Sequence, residues 1–160
     1  MIGIWHRAGV AAFTGIIEPF TWDRLAALFR ERVLPNCDIW VGTADGEVVA
    51  FIALNDLAQF AERIRAVAPR MDDRVLSNAI GASIDRLYVA PEHWRQGWGS
   101  RLVELAKELS PGGLTLFAGV EPRAAGALYE KHGFKPVEFF TSDPPESARY
   151  VTYEWRPSIS

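Results

Sequence analysis

Two glycines separated by one residue, Gly97 and Gly99, carry the clearest chemical signal in this sequence. A glycine inside a helix costs about 1 kcal/mol relative to alanine, so a helix that opens with two of them needs a reason. The first turn of a helix has unpaired N–H groups and a partial positive charge, which suit a phosphate or diphosphate. We therefore expect a ligand to approach bare backbone here. A glycine-rich turn that only starts a helix is the alternative.

The residues around the glycines narrow the type of phosphate loop. An extended apolar stretch and Pro91 precede them, and apolar residues at helical spacing follow them. A dinucleotide-binding fingerprint would need a third glycine where Leu102 stands, and the Gly-Lys-Ser/Thr of a Walker loop occurs nowhere in the chain. Other nucleotide-binding domains are therefore disfavoured.

Composition excludes several other classes of protein. The formal net charge is −3 and no basic block stands out, so we expect no nucleic-acid partner. Cys37 is the only cysteine, which rules out an intrachain disulfide and favours a reducing, cytoplasmic location. One cysteine and three scattered histidines predict no metal site. No apolar run is long enough to span a membrane, and His6 and Arg7 interrupt the apolar start, which disfavours a signal peptide.

Hydrophobic periodicity places helices and strands alternately along the chain. Asp45-Gly46 is a strong signal for a two-residue hairpin turn. The pattern predicts an α/β fold of mixed α+β type, in one domain over residues 1–160. Its mixed, mainly antiparallel central sheet of about six strands has helices on both faces. We expect helices at 2–14, 22–33, 56–68, 97–109 and 121–133, and strands at 39–44, 47–54, 84–89, 114–120, 134–140 and 148–155.

Two segments resemble the signatures of the GNAT family of GCN5-related N-acetyltransferases. The first resembles the family's acetyl-coenzyme A loop and the second its later tyrosine motif, in the same order and at a similar distance. Trp94 departs from the family's arginine or glutamine, Pro122 replaces an asparagine common among relatives, and residues 56–82 form a possible helical insertion. The hairpin around Asp45-Gly46 fits more loosely. Residues near 2–35 resemble the family's two early helices, Trp5 to Ile17 especially, and no clear strand precedes the first helix. The matching segments are Leu87-Tyr88-Val89 with Pro91 and Trp94-Arg95-Gln96-Gly97-Trp98-Gly99, and Ala125-Gly126-Ala127-Leu128-Tyr129-Glu130-Lys131-His132-Gly133-Phe134.

The resemblance implies how acetyl-CoA is held as co-substrate. The backbone of Leu87, Tyr88 and Val89 would pair with the pantetheine arm like an added half-strand. A splay in the sheet would let the Val89 amide polarise the thioester carbonyl. The diphosphate would be held by Arg95, Gln96, Gly97, Trp98, Gly99 and Ser100.

The implied reaction is acetyl transfer from acetyl-CoA to a primary amine of a small molecule or peptide, by direct attack. Tyr129 is the candidate acid for the leaving thiolate, because a phenol has a reference pKa near that of a thiol. A tyrosine packed against the sheet is the alternative. Glu121 is the candidate base, and a carboxylate that only stabilises a helix start is its alternative. Asp85 and His93 are further base candidates.

Two questions stay open from the sequence. The protein is either an active acetyltransferase or a non-catalytic acyl-CoA binding or sensing module. The acceptor pocket is expected between the early helices and residues 56–82, with Glu18, Phe20 and Trp22 as candidate lining residues. That insertion is a lid, a contact of a possible homodimer, or decoration.

Overall fold

The computed structural model describes residues 1–16, 20–144 and 146–159, and in these ranges helices cover both faces of a mixed sheet. A π-helical turn, Phe29–Val33, joins the second and third helices. The helices are α1 (Ile2–Phe13), α2 (Trp22–Leu28), α3 (Leu34–Asn36), α4 (Leu57–Val67), α5 (Asp73–Ser77), α6 (Trp98–Leu109) and α7 (Arg123–Lys131). The strands are β1 (Asp38–Ala44), β2 (Glu47–Asn55), β3 (Ala82–Val89), β4 (Leu114–Gly119), β5 (Lys135–Thr141) and β6 (Arg149–Trp155).

The six described strands lie in the order β1-β2-β3-β4-β6-β5. Of the pairs they form, β3–β4 is parallel and the rest are antiparallel. The predicted fold class is therefore confirmed. In the described part of the chain no strand precedes α1.

Two predicted boundaries differ from the structure. The helix expected to stop before Pro35 continues through the π-helical turn to Asn36, because Pro35 falls in the first turn of α3. A missing N–H is tolerated there. Residues 71–83, which had no assigned element, contain α5, and β3 starts two residues earlier than predicted. Asp72 caps α5 by accepting a hydrogen bond from the Arg74 amide at 2.9 Å.

The core has a layer on each side of the sheet. On the α6–α7 face, apolar residues of those helices pack against alternate residues of β2, β3 and β4, such as Ile52 and Ile84. On the opposite face, called here the α1–α4 face, Phe51 and Tyr88 pack against α1 and α2. Phe60 of α4 packs beside Phe117 of β4 on that same face, with ring centroids 6.2 Å apart.

The parallel strands β3 and β4 separate soon after they meet. In the described structure they pair only at Ala82 with Leu114 and Ser83 with Thr115, although both continue for several residues. The space between them is called the β3–β4 gap. It is closed near residue 83 and opens towards the carboxyl ends of both strands.

None of the helices in the described ranges is both long and apolar enough to cross a lipid bilayer.

Candidate functional site

One side of the β3–β4 gap is a free strand edge. The Ala90 amide donates to the Val49 carbonyl at 2.8 Å, which fixes the register of β3 on β2. Because backbone direction alternates along a strand, the amides and carbonyls of Leu87 and Val89 point away from β2 and into the gap. Those of Tyr88 point towards β2. The backbone of Tyr88 is thus used by the sheet, its ring packs on Trp5 and Phe51, and the pairing of Leu87, Tyr88 and Val89 with a ligand stays a prediction.

Trp94 has a defined contact at this edge. Its indole Nε1 donates to the Val89 carbonyl at 2.8 Å, while 42% of the residue stays exposed. The bond satisfies one of the gap-facing groups that β4 leaves unpaired. The Leu87 amide and carbonyl and the Val89 amide are then the groups left for a ligand.

The loop at the mouth of the gap has an unusual backbone. Gly97 is the residue before α6 and has a φ of +85°, and Arg95 also has a positive φ of 60°. Nothing in the described chain lies within 4 Å of a Cβ built on Gly97, so the space there is open. Gly99 is different, because its Cβ would lie 3.1 Å from Leu128 Cδ2 on α7. Helix packing, and not only ligand approach, therefore explains Gly99.

The side chains of the loop differ in their contacts and exposure. The Trp98 ring lies against β1, where a Cβ on Gly42 would come within 2.6 Å of it. Trp98 thus offers only its amide to a ligand. The Gln96 amide group donates to the Glu92 carbonyl at 3.3 Å, and the Arg95 side chain is exposed.

Ser100 is linked to two residues outside the loop. Its Oγ lies 2.9 Å from His132 Nε2, and His132 Nδ1 lies 2.6 Å from a Glu104 carboxylate oxygen. The hydrogen bond from His132, followed by one from Lys107, holds the pKa of Glu104 below its usual value. The carboxylate makes Nδ1 the protonated nitrogen, so in neutral His132 Nε2 accepts the Ser100 hydroxyl. No such serine–histidine–acid arrangement was evident from the sequence.

Tyr129 lies on α7 and reaches the gap from the α6–α7 face. The residue is 7% exposed, and its ring packs beside Phe134 and Tyr153 with centroids 5.5 and 6.0 Å away. Burial raises the pKa of Tyr129, and Tyr88 and Arg63 on the α1–α4 face act on it more weakly in opposite directions.

The candidate bases are not equivalent. Glu121 follows β4 at the mouth of the gap, is exposed, and makes no hydrogen bond or ion pair within the described ranges. His93 Nδ1 lies 3.4 Å from the Gln96 side-chain oxygen in the loop. Asp85 is 7% exposed and forms ion pairs with Arg63 and Arg86 at 3.2 Å, so it is neither a surface residue nor free to act as a base.

The residues expected to line an acceptor pocket are partly placed. Trp22 is 49% exposed and packs edge-on against His6, and Phe20 stacks under Arg24 at 4.1 Å. Glu18 lies outside the described residues. A cavity of about 320 Å³ lies between the α4–α5 link and β5. Residues of the 56–82 segment (Ala68, Arg70, Met71 and Asp72) line it, whereas Phe20, Trp22, Tyr129 and Glu121 do not.

The resemblance to GNAT enzymes implies a sheet that opens between two parallel strands. It also implies a helix N-terminus at the mouth of that opening and a tyrosine on the following helix. A family model described as the acetyltransferase (GNAT) domain matches residues 35–136, more than half of the chain. The chain belongs to the GNAT acetyltransferase family. No curated protein is similar enough in sequence to match it.

Solved structures share the fold at low sequence identity. The ribosomal-protein-S18-alanine N-acetyltransferase of Escherichia coli has a TM-score of 0.61 and 18% identity, over 99% of this chain and 89% of that one. YjaB of Escherichia coli, in its apo form, has a TM-score of 0.64 and 21% identity, over 96% and 87%. Arabidopsis thaliana NAA60 in complex with acetyl-CoA has a TM-score of 0.57 and 16% identity, over 96% and 93%.

Proposed function

We propose that the protein is an N-acetyltransferase that moves an acetyl group from acetyl-CoA to a primary amine of a small molecule or peptide by direct attack. The observation that carries the proposal is the β3–β4 gap, which has the free edge of β3 on one side and the open loop at Gly97 at its mouth, with Tyr129 buried on the α6–α7 face of the sheet. Two neighbours support it: NAA60 is in complex with acetyl-CoA, and the Escherichia coli enzyme is an N-acetyltransferase of an alanine in a ribosomal protein.

The residues present fit acetyl-CoA. Gly97, the residue before α6, keeps the space at the start of that helix free of a side chain. Arg95 would add a charge-assisted hydrogen bond to the diphosphate. The gap-facing groups of Leu87 and Val89 would pair with the amides of the pantetheine arm in the manner of an added strand.

The chemistry needs one proton removed and one delivered. Acetyl-CoA supplies a thioester whose C–S bond breaks as the C–N bond to the amine forms. Tyr129 stays protonated at working pH because burial raises its pKa, so its hydroxyl can donate to the departing sulfur. The Val89 amide would polarise the carbonyl as charge develops on its oxygen.

The proton released by the ammonium form of the acceptor needs a path to solvent. Glu121 is our candidate base, and a water chain from the gap to its mouth is the alternative. If Glu121 is the base, Glu121→Gln lowers kcat/KM mainly at neutral pH, where most of the amine is protonated.

Thiol release with a panel of amines tests the function. We expect turnover by the wild type and a roughly 10²- to 10⁴-fold lower kcat for Tyr129→Phe, with the KM for acetyl-CoA little changed. Tyr153→Phe is the matched control, since its hydroxyl is bonded to Glu130 at 3.2 Å and belongs to the same aromatic cluster.

Two other outcomes would contradict parts of this proposal. Unchanged turnover by Tyr129→Phe would remove this tyrosine from the mechanism. Binding of acetyl-CoA without turnover of any amine would favour a non-catalytic acyl-CoA binding module.

A further inference from the structure

Four buried polar side-chain atoms without a hydrogen-bond partner among the described residues belong to residues at one end of the β3–β4 gap. They are Asn55 Oδ1, Ser83 Oγ and Arg86 Nε, together with Arg63 Nη1, which is ion-paired with an Asp85 carboxylate oxygen at 3.2 Å but not in hydrogen-bond geometry. These residues, with Asp85, are called the Arg63 cluster. Buried polar atoms are nearly always satisfied, by protein groups, by water or by a ligand. Several unsatisfied atoms in one cluster therefore indicate a missing partner.

The charges of the Arg63 cluster do not balance. One carboxylate, Asp85, lies 3.2 Å from a nitrogen of each guanidinium and also accepts a hydrogen bond from Asn55 at 2.9 Å. Two positive charges facing one negative charge leave an excess of +1. Burial, and next the like charge of Arg86, lowers the pKa of Arg63 to about 10, against the opposing effect of Asp85. An additional anion would stabilise this cluster.

The cluster spans the closed end of the gap. Asp85 and Arg86 lie two and three residues after Ser83, the last residue of β3 that pairs with β4. The pairing of β3 with β2 shifts at this point, which is typical of a bulge. Arg63 also stacks on Phe117 of β4, with its guanidinium carbon 4.5 Å from the ring centroid. Arg63 thus contacts both diverging strands from the α1–α4 face, opposite the helix that carries Tyr129.

The two guanidinium groups remain accessible from outside. Their side chains are 20% exposed for Arg63 and 16% exposed for Arg86. Arg63 also forms part of the wall of a cavity of about 210 Å³ between the π-helical turn with α3 and helix α4, which is lined as well by Arg32 and by the carboxylates of Glu31 and Glu62. It therefore lies between this cavity and the gap.

We propose that the Arg63 cluster binds a carboxylate of the acceptor, so that the acceptor is a small molecule with a primary amine at one end and a carboxylate at the other. Guanidinium groups match the planar fork of a carboxylate with paired N–H donors. Asp85 pairs with Nη1 of both arginines, so the remaining guanidinium nitrogens would be the donors to the ligand. This inference rests on the proposed function and names its acceptor class.

Paired acceptors test the inference. A series of ω-amino acids of increasing chain length is compared with the corresponding carboxamides, which keep the amine and lose the charge. We expect the wild type to prefer the carboxylate by about tenfold or more in kcat/KM at the best chain length. In Arg63→Met we expect this preference to disappear while the KM for acetyl-CoA stays unchanged, and in Arg63→Lys to return in part.

Arg65→Met is the matched control. Arg65 lies on the same helix, but it is half-exposed and pairs with Asp73 at 3.0 Å, so the carboxylate preference should stay at the wild-type ratio.

The outcomes separate the two proposals. Equal turnover of carboxylate and carboxamide by the wild type overturns the carboxylate site and leaves acetyl transfer intact. If Arg63→Met lowers kcat/KM for the carboxylate and for the carboxamide by the same factor, Arg63 has a structural role. That result also overturns the carboxylate site. Release of no thiol with any amine overturns the proposed function and this inference together. If Arg63→Met does not fold, the test rests on the ratio of carboxylate to carboxamide turnover in the wild type and in Arg63→Lys.

Discussion

Ser100 is distinguished from its neighbours in the loop because a side chain from another helix fixes the direction of its hydroxyl. His132 Nε2 lies 2.9 Å from Ser100 Oγ, and this contact fixes the Ser100 side chain at the mouth of the gap, where it would meet the diphosphate. His132 is therefore a positioning residue in our proposal.

We expect His132→Gln to weaken acetyl-CoA binding without changing the chemical step. One hydrogen bond is worth about 0.5–1.5 kcal/mol, so the KM for acetyl-CoA should rise about 3- to 10-fold with kcat nearly constant. Ser100→Ala should have a similar effect, and the double variant should be less than additive because the two residues act through one contact. Steady-state kinetics measure all three.

Lys131→Gln is the control for His132, since Lys131 is adjacent and exposed. If the effects of Ser100→Ala and His132→Gln on the KM for acetyl-CoA add in the double variant, Ser100 and His132 act independently.

At the level of single residues, the sequence was informative where a motif exists. The glycine loop and Tyr129 stand in segments whose residue types resemble a known family, so roles could be proposed for them from the sequence, and those roles stay predictions. Arg63 was not, because it lies in a polar stretch whose helical spacing identifies α4 but not what its charged side chains contact. Asp85 was noticed, yet its burial depends on the bulge in β3, and one strand alone does not reveal a bulge.

Among the elements, the start of β3 decides where the gap closes. Gly81 has a φ of +67°, and a Cβ there would lie 1.9 Å from the Gly113 carbonyl oxygen at the start of β4. The two backbones approach this closely because neither residue has a side chain. This contact brings β3 and β4 together at the adjacent residue pairs, Ala82 with Leu114 and Ser83 with Thr115.

We expect Gly81→Ala to destabilise the fold by about 3 kcal/mol, since the obstacle is backbone and the φ is unfavourable for alanine. Thermal or urea unfolding measures the loss. Gly9→Ala on α1 is the control, because nothing in the described structure lies within 4 Å of a Cβ there. That change should be neutral or stabilise by up to about 1 kcal/mol. A Gly81→Ala protein as stable as the wild type would show that β3 and β4 can meet without this contact.

The elements themselves were predicted well because their signals are local. Helical and alternating periodicity, the Asp45-Gly46 turn and the cap at Asp56 all depend on residues a few positions apart. The π-helical turn before Pro35 and the short helix α5 carry no comparable local pattern. The separation of β3 from β4 depends on residues far apart in the chain, and it was expected only through the family resemblance.

For the whole molecule, the gap divides the sheet into two halves. Strands β1, β2 and β3 form one half, and β4, β6 and β5 form the other. Two residue pairs of the sheet and the packing of α6 and α7 join them. A ligand that bonds to β3 and contacts α6 would add contacts across this junction. One domain over residues 1–160, a cytoplasmic location and a homodimer stay predictions.

We expect acetyl-CoA to raise the melting temperature by about 5–10 °C when present at about one hundred times its Kd. Binding at that excess stabilises the native state by about 2.7 kcal/mol, and each kcal/mol is worth about 2–4 °C for a chain of this size. Differential scanning fluorimetry measures the shift. ADP, which lacks the pantetheine arm, is the control and should give a smaller shift. A larger shift with ADP would indicate a mononucleotide site.

The unpaired backbone of Leu87 and Val89 has a further consequence for what can enter the molecule. Exposed strand edges invite the strands of other chains and so promote aggregation. Here the edge is recessed in the middle of the sheet, with helices above and below it. A polypeptide strand projects side chains to both faces and would collide with those helices, whereas a slender, unbranched amide chain would not. The fold thus excludes β-addition by proteins while keeping the same hydrogen bonds open to a thin linear molecule.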